Sequence, residues 1–115
     1  VYAGGTLLRD FTYIDDIING ILSLLDRQRE VTPPELMNIG NNSPETVNYL
    51  VSQLEKTCGR KAIVDHLPMQ PGDVKATFAD ITRINEYTGF TPLTNLGAGL
   101  TRFVEWYRNY KKKID

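Results

Sequence analysis

Two short segments carry side chains suited to binding a phosphorylated ligand. Arg9 follows a glycine-rich approach, Gly4-Gly5, and its planar, permanently charged guanidinium matches a phosphate group. The second segment, Gln70-Pro71-Gly72-Asp73, is a proline-stiffened turn whose carboxamide and carboxylate could bond the hydroxyls of a ribose. Each segment also has a purely structural interpretation: a surface arginine paired with Asp10, and a turn whose acid bonds its own backbone. The residue types alone leave both interpretations open.

Other reactive groups have simpler explanations. Asp15 and Asp16 do not face the same way on a helix, so an N-cap role for Asp15 explains the pair, with acid–base chemistry as the alternative. The single Cys58 and single His66 leave no zinc cluster. A nucleophilic pair would have to join a helix end to a strand. No dinucleotide fingerprint or Walker loop occurs, and Gly97-Ala98-Gly99 falls in a helical pattern that indicates close packing.

Composition narrows the class of protein further. The chain has 115 residues, 41% of them hydrophobic and 23% charged, with a formal net charge of −1. These values are typical of one globular domain and set up no field that attracts nucleic acid or an acidic membrane. No apolar run approaches the roughly 20 residues that span a bilayer, and no signal peptide opens the chain. We therefore expect neither nucleic acid nor membrane as a partner, and a cytoplasmic protein.

The elements that must position these residues alternate between strands and helices. Apolar residues recurring at i, i+3 and i+4 predict helices, and short β-branched runs predict strands. The predicted helices are Asp16–Asp26, one from Ser43 to Cys58, a brief one between Asp80 and Gly89, and a last one carrying Leu96 to Tyr110. The predicted extended segments are Thr6–Ile14, Leu36–Ile39 and Ala62–Leu67, and Gln28–Glu35 is a polar surface loop. The pattern predicts a small mixed α/β domain.

Helix boundaries come from local signals. Ser43-Pro44 supplies a hydroxyl cap and a proline at the first helical position. Asp80 caps the brief helix, while Gly59 and Gly89 are glycines expected to end their helices. Lys111–Lys113 end the last helix as a solvated basic run that complements its dipole.

Several strings, in this order, resemble the extended short-chain dehydrogenase/reductase family, and among its members they are most similar to the UDP-glucuronate 4-epimerases. They are RDFTYIDDI at 9–17, MNIG at 37–40, SP at 43–44, LPMQPGDV at 67–74, YTGFTP at 87–92 and FVEWY at 103–107. The resemblance spans nearly the whole chain and weakens before Arg9 and between Asp26 and Leu36.

The resemblance implies a two-domain parent enzyme. An N-terminal Rossmann domain would hold NAD, and a smaller C-terminal domain would hold the UDP-sugar, whose C4 is transiently oxidised and then reduced from the other face. Residues 1–115 would form the C-terminal domain, cut off from its Rossmann partner and inactive alone. The opening Val1–Gly5 reads like the middle of a loop. The parent is expected to be a homodimer.

The resemblance carries over binding residues rather than catalytic ones. Arg9 matches the arginine that contacts the UDP diphosphate. Gln70 stands where related UDP-galactose epimerases have a second phosphate-contacting arginine, and Asp73 matches the acid that bonds the uridine ribose. The family's Tyr-x-x-x-Lys pair is not expected here, since Tyr107 and Lys111 match its spacing by chance on the last helix.

The resemblance also leaves points open. Family members commonly have Asn at the position of Ala3 and a basic or polar residue near Thr6, so it implies nothing about the mouth of the pocket. A UDP-sugar dehydratase or decarboxylase shares many of these strings, and a non-catalytic nucleotide-sugar-binding module is the alternative outside enzymes. We further expect exposed apolar surface around Ile14–Ile21, and hence a chain that associates or is marginally stable.

Overall fold

The computed structural model describes residues 1–27 and 36–113 of the 115-residue chain. Over these residues, four α-helices and one two-stranded sheet follow a short 3-10 turn at Ala3–Gly5. The elements are β1 (Leu8–Arg9), α1 (Ile14–Arg27), β2 (Glu45–Thr46), α2 (Val47–Cys58), α3 (Thr82–Thr88) and α4 (Leu96–Lys111). This confirms the predicted small mixed α/β fold. The loop predicted at Gln28–Glu35 lies outside the described residues.

Helix α1 begins at Ile14, so the prediction that Asp15 is its N-cap was wrong. Asp15 and Asp16 both lie in the first turn, where carboxylates favour the positive end of the helix dipole. Asp16 is buried, and its carboxylate accepts a hydrogen bond of 2.9 Å from the backbone N–H of Thr94. The acid therefore joins α1 to the segment before α4, a contact 78 residues away that local spacing does not reveal.

Because of the sheet, α2 starts later in the chain than predicted. Strand β1 pairs antiparallel with β2, so the residues after Ser43-Pro44 are extended and the helix predicted there begins only at Val47. The N-cap is Thr46, whose Oγ1 accepts a hydrogen bond of 3.0 Å from the N–H of Tyr49. The predicted end is confirmed, because Gly59 has φ 69°, in the left-handed region that glycine tolerates.

The predicted strands at Leu36–Ile39 and Ala62–Leu67 were wrong. Residues 36–39 form no strand, and the second segment contributes one isolated bridge, between Leu67 and Tyr2. The side chain of Ile39 packs directly against Gly20 of α1 instead. Strand propensity is realised only where a neighbouring strand offers pairing and a surface to pack on. The extended segment predicted at Thr6–Ile14 likewise shortens to β1.

Local signals worked in part at the other helix ends. The N-cap of α3 is Ile81, which makes no side-chain cap bond, so the prediction that Asp80 caps this helix was wrong. Asp80 lies one residue earlier, and its Oδ1 accepts hydrogen bonds from the N–H (3.0 Å) and hydroxyl (2.6 Å) of Thr82. The same bonds lower the pKa of Asp80 below its ordinary value. Helix α3 ends at Gly89, with φ 76°, and the side chain of Asn95 caps α4. The predicted helix end at Gly89 is therefore confirmed.

The helices enclose a small core. Helix α2 packs on α4 and α1 packs on α3. The close packing predicted for Gly97-Ala98-Gly99 is confirmed, since a Cβ on Gly99 would lie 3.3 Å from the ring of Tyr13. The buried apolar side chains of the described residues are Leu7, Ile84, Phe90 and Val104.

Much of the apolar surface is exposed, as predicted around Ile14–Ile21. Along α1 the exposed apolar residues are Ile14, Ile18, Ile21, Leu22 and Leu25. Along α4, the predicted apolar stripe is buried at Val104 but exposed at Phe103, Tyr107 and Tyr110. Exposed apolar surface of this extent on a small domain indicates that the surface packs against another protein surface. None of the helices within residues 1–27 and 36–113 is long and apolar enough to cross a membrane.

Candidate functional site

The two segments singled out in the sequence meet in the fold. The loop that follows Leu67 runs beside the start of the chain, and an isolated bridge pins each of its ends. Tyr2 bridges Leu67, and Leu8 of β1 bridges Ala76. The second bridge is held by hydrogen bonds from Leu8 N–H to the Lys75 carbonyl (2.9 Å) and from Thr77 N–H to the Leu8 carbonyl (3.2 Å). Arg9 on β1 therefore faces a loop whose two ends are fixed.

Arg9 and Asp73 are in direct contact. Arg9 Nη2 lies 2.6 Å from Asp73 Oδ1, and both side chains are 26% exposed. Arg9 Nη1 donates to the carbonyl oxygens of Leu8 (2.7 Å) and Val74 (3.0 Å). The guanidinium is therefore held by the strand on one side and by the loop on the other, with one edge reaching solvent. A fixed, partly exposed guanidinium is a suitable anchor for an anionic group.

Gln70 lies in the same turn but has a different partner. The turn is closed by a hydrogen bond of 3.1 Å from Asp73 N–H to the Gln70 carbonyl, and Gly72 adopts φ 84° within it. The side chain of Gln70 is exposed and donates from Nε2 to the hydroxyl of Tyr2 at 3.1 Å. The structure thus brings Arg9 and Asp73 together and leaves the Gln70 amide at the other end of the turn.

The structural alternative for Arg9, a pair with Asp10, does not occur. The carboxylate of Asp10 instead accepts backbone hydrogen bonds from Asn42 (3.0 Å), Ser43 (3.1 Å) and Ala79 (3.0 Å). It ties the end of β1, next to Arg9 in the chain, to two distant segments. Sequence reasoning missed this role because the three amides lie 32, 33 and 69 residues away. It also missed Tyr2, whose only sequence signal is an aromatic ring before the Gly4-Gly5 pair.

A groove of about 420 Å³ opens at Arg9 and gives the anchor space for a ligand. Besides Arg9 and Asp10 it is lined by Thr12, Asn38, Ile39, Gly40, Thr77, Phe78 and Ala79. A second cleft of about 320 Å³ is lined mainly by apolar side chains, including Phe11, Tyr13, Leu100 and Phe103, and by no charged one. The groove at Arg9 combines a cation with exposed polar groups, as binding of a phosphorylated ligand requires. A depression of about 380 Å³ at the end of α2 is also charged, but it contains none of the residues singled out in the sequence; it is lined by Ser52, Glu55, Lys56, Gly59, Arg60 and Lys61.

The remaining reactive groups are separate from this site. Asp15 is exposed, 3.9 Å from Arg102, while Asp16 is buried against Thr94, so the two acids do not act on one ligand. Cys58 ends α2 and His66 is exposed, and no hydrogen bond joins them. Clusters of three or more His, Cys, Asp or Glu side chains able to hold a metal are absent from residues 1–27 and 36–113.

Comparison with known proteins gives the same family as the sequence strings. Residues 1–40 match the NAD dependent epimerase/dehydratase family. The probable UDP-glucuronate 4-epimerase of Rhizobium meliloti (strain 1021) is 36% identical over 129 residues, covering 97% of this chain and 38% of the relative. UDP-glucuronate 4-epimerase 1 of Arabidopsis thaliana is 42% identical over 115 residues, covering 90% and 27%.

Solved structures agree with the sequence relatives. A variant of the UDP-glucuronic acid 4-epimerase of Bacillus cereus, in complex with UDP-4-deoxy-4-fluoro-glucuronic acid and NAD, matches with a TM-score of 0.83 at 32% identity. The match covers 96% of this chain and 35% of that one. Residues 1–40 thus match the NAD dependent epimerase/dehydratase family, and the similarity to the epimerases named here extends over nearly the whole chain. It matches the C-terminal region of UDP-glucuronate 4-epimerases and spans about a third of the length of the curated relatives it matches.

Proposed function

We propose that this chain is the UDP-sugar-binding part of an NAD-dependent epimerase that inverts C4 of a UDP-hexuronic acid. The observation that carries the proposal is the meeting of Arg9, which lines the groove, with Asp73, which is 64 residues away in the chain. The residues that meet are those expected to hold a nucleotide diphosphate and its ribose. The relatives named above supply the substrate class.

In this proposal Arg9 contacts the diphosphate. Nη1 donates to two carbonyls and Nη2 to Asp73, which leaves Nε and one hydrogen of Nη2 for phosphate oxygens. Asp73 Oδ2 accepts from a ribose hydroxyl, since the described contacts of Asp73 use only Oδ1. Gln70 offers a neutral amide near the second phosphate, which requires the amide to turn from Tyr2 toward the ligand.

The described residues offer no fit for NAD. A dinucleotide site needs a glycine-rich turn between a strand and a helix. Here Gly4-Gly5 precedes a two-residue strand, and Gly97 and Gly99 lie inside α4, packed near Gln53 and Tyr13. NAD would therefore be bound by the remainder of the longer protein, together with the catalytic pair. The contribution of this chain is to hold the nucleotide and so orient the sugar.

The test of substrate and reaction uses the full-length gene product. Fed with UDP-glucuronate, it is expected to form the C4 epimer, followed by NMR. Loss of CO₂ from UDP-glucuronate would replace the epimerase with a decarboxylase. A 4-keto-6-deoxy product from UDP-glucose, which has the C6 hydroxyl that leaves as water, would replace it with a dehydratase.

The test of the site measures UDP affinity by calorimetry. Arg9→Ala is expected to weaken binding at least about tenfold, because it removes charge-assisted hydrogen bonds to phosphate. Arg60→Ala, at an exposed arginine beyond α2, is the matched control and should bind normally. Equal affinities of the two variants would refute the assignment of Arg9. A micromolar affinity of the 115-residue chain alone, lost in Arg9→Ala, would favour a stand-alone binding module.

A further inference from the structure

Asp73 has a partner inside the protein as well as the ribose that the proposed function gives it. Its Oδ1 accepts the Nη2–H of Arg9 at 2.6 Å and the backbone N–H of Val74 at 2.9 Å. Both side chains are about three-quarters buried. The Val74 bond fixes the carboxylate in the loop, and the loop is pinned to the start of the chain at both ends. Asp73 is therefore a fixed acceptor beside a long, flexible side chain.

We propose that Asp73 is a positioning residue that sets the plane of the Arg9 guanidinium, so that its remaining N–H groups face the diphosphate. This inference rests on the proposed function. Two carbonyls hold Nη1, but a single nitrogen still allows the planar group to pivot. The contact with Asp73 holds Nη2 as well, and the three fixed acceptors together define the plane. The ordering of Arg9 is then completed before the ligand arrives, which lowers the entropy cost of binding.

A positioning role and simple charge repulsion predict opposite effects of neutralising Asp73 on the affinity for the diphosphate. A carboxylate near a diphosphate repels it, so neutralising Asp73 should tighten binding if charge were the only effect. If Asp73 positions Arg9, neutralising it should weaken binding of the diphosphate. A ribose contact alone would affect only ligands that have ribose hydroxyls.

The experiment measures the affinity of the full-length protein for 2′,3′-dideoxy-UDP, which keeps the diphosphate but lacks the ribose hydroxyls. Asp73→Ala is expected to weaken this ligand roughly tenfold, and Asp73→Asn about threefold, because the carboxamide oxygen still accepts from Arg9 and Val74. Asp65→Asn, at an exposed acid outside the site, is the matched control and should leave the affinity unchanged. In an Arg9→Ala background, Asp73→Ala should not weaken binding of dideoxy-UDP further, since the group that it positions is gone.

The outcomes separate this inference from the proposed function. If the unsubstituted protein does not bind UDP, the proposed function fails and the inference fails with it. If it binds UDP and the Asp73 variants bind dideoxy-UDP normally or more tightly, only the inference fails. Equal effects of Asp73→Ala with and without Arg9 would also overturn it, because the loss would then come from the loop. Thermal unfolding of each variant identifies misfolding; if Asp73→Ala unfolds, Asp73→Asn carries the test.

Discussion

Asp10→Ala is the substitution for which the structure gives the sharpest stability prediction. The carboxylate of Asp10 accepts backbone hydrogen bonds from Asn42, Ser43 and Ala79, at 3.0, 3.1 and 3.0 Å. These bonds join the end of β1 to the chain before β2 and to the chain before α3. Gly40 lies directly against the same carboxylate, which leaves no room for a side chain there. Removing the carboxylate therefore leaves three donors without their acceptor.

The magnitude follows from how buried each donor is. A hydrogen bond to a charged acceptor contributes about 1.5–3 kcal/mol where water does not replace it. The bonds from Asn42 and Ser43 are exposed, so water replaces the carboxylate there, whereas the bond from Ala79 is partly buried. We expect about 2 kcal/mol from Ala79 and a few tenths from each of the others, a total loss of about 2–3 kcal/mol in the free energy of unfolding. Against the 5–15 kcal/mol typical of domains, this is a large effect.

Urea unfolding of Asp10→Ala measures that loss. The control is Asp65→Ala, because Asp65 is an exposed acid whose carboxylate forms no described hydrogen bond. Amide hydrogen exchange at Ala79 should accelerate in the first variant only. Asp10→Asn is expected to cost less than Asp10→Ala, because the amide oxygen can take the place of Oδ2 and keep the bonds from Asn42 and Ala79, so that its NH₂ group faces only the exposed N–H of Ser43. If the free energies of unfolding of Asp10→Ala and Asp65→Ala differ by less than about 0.5 kcal/mol, the Asp10 carboxylate does not hold these segments together and the prediction is wrong.

Three further predictions concern the rest of the chain. Ala3 has φ 48°, a left-handed conformation that costs an ordinary residue about 1–2 kcal/mol and that Asn adopts more readily. Ala3→Asn should therefore raise the free energy of unfolding by roughly 0.5–1 kcal/mol. An unchanged urea midpoint would count against this prediction. Ile18→Glu, on the exposed apolar face of α1, should reduce self-association of the 115-residue chain in sedimentation velocity, and a chain that is already monomeric would contradict this. The hydrogen bond from the Lys61 side chain, followed by that from the Ala62 N–H, lowers the pKa of Glu55. Glu55 therefore stabilises the folded chain above the pKa that it has when unfolded, and this stabilisation is lost as the pH falls through its pKa in the folded chain. The stability difference between the protein and Glu55→Gln should accordingly be largest near neutral pH and vanish in acid, and a difference independent of pH would refute it.

Local signals in the sequence predicted the helices well and the strands badly. The glycines that end α2 and α3 act within a few residues of their own position, so the chain around them suffices. The segments at Leu36–Ile39 and Ala62–Leu67 have strand-like residues but no strand beside them. A strand is stabilised by its partner, and the partner is a property of the fold. The same competition moved the start of α2 to Val47, where pairing with β1 ends.

The sequence by itself determined the small mixed fold, the family strings and the identity of the three candidate binding residues, Arg9, Gln70 and Asp73. Only the tertiary structure decided how they meet. Arg9 could have paired with Asp10 beside it, but Asp10 is taken by three distant amides and Arg9 is held by an acid 64 residues away. Partner choice between charged groups depends on which backbone donors the fold brings near each of them. That arrangement is set by contacts far apart in the chain, which no local pattern encodes.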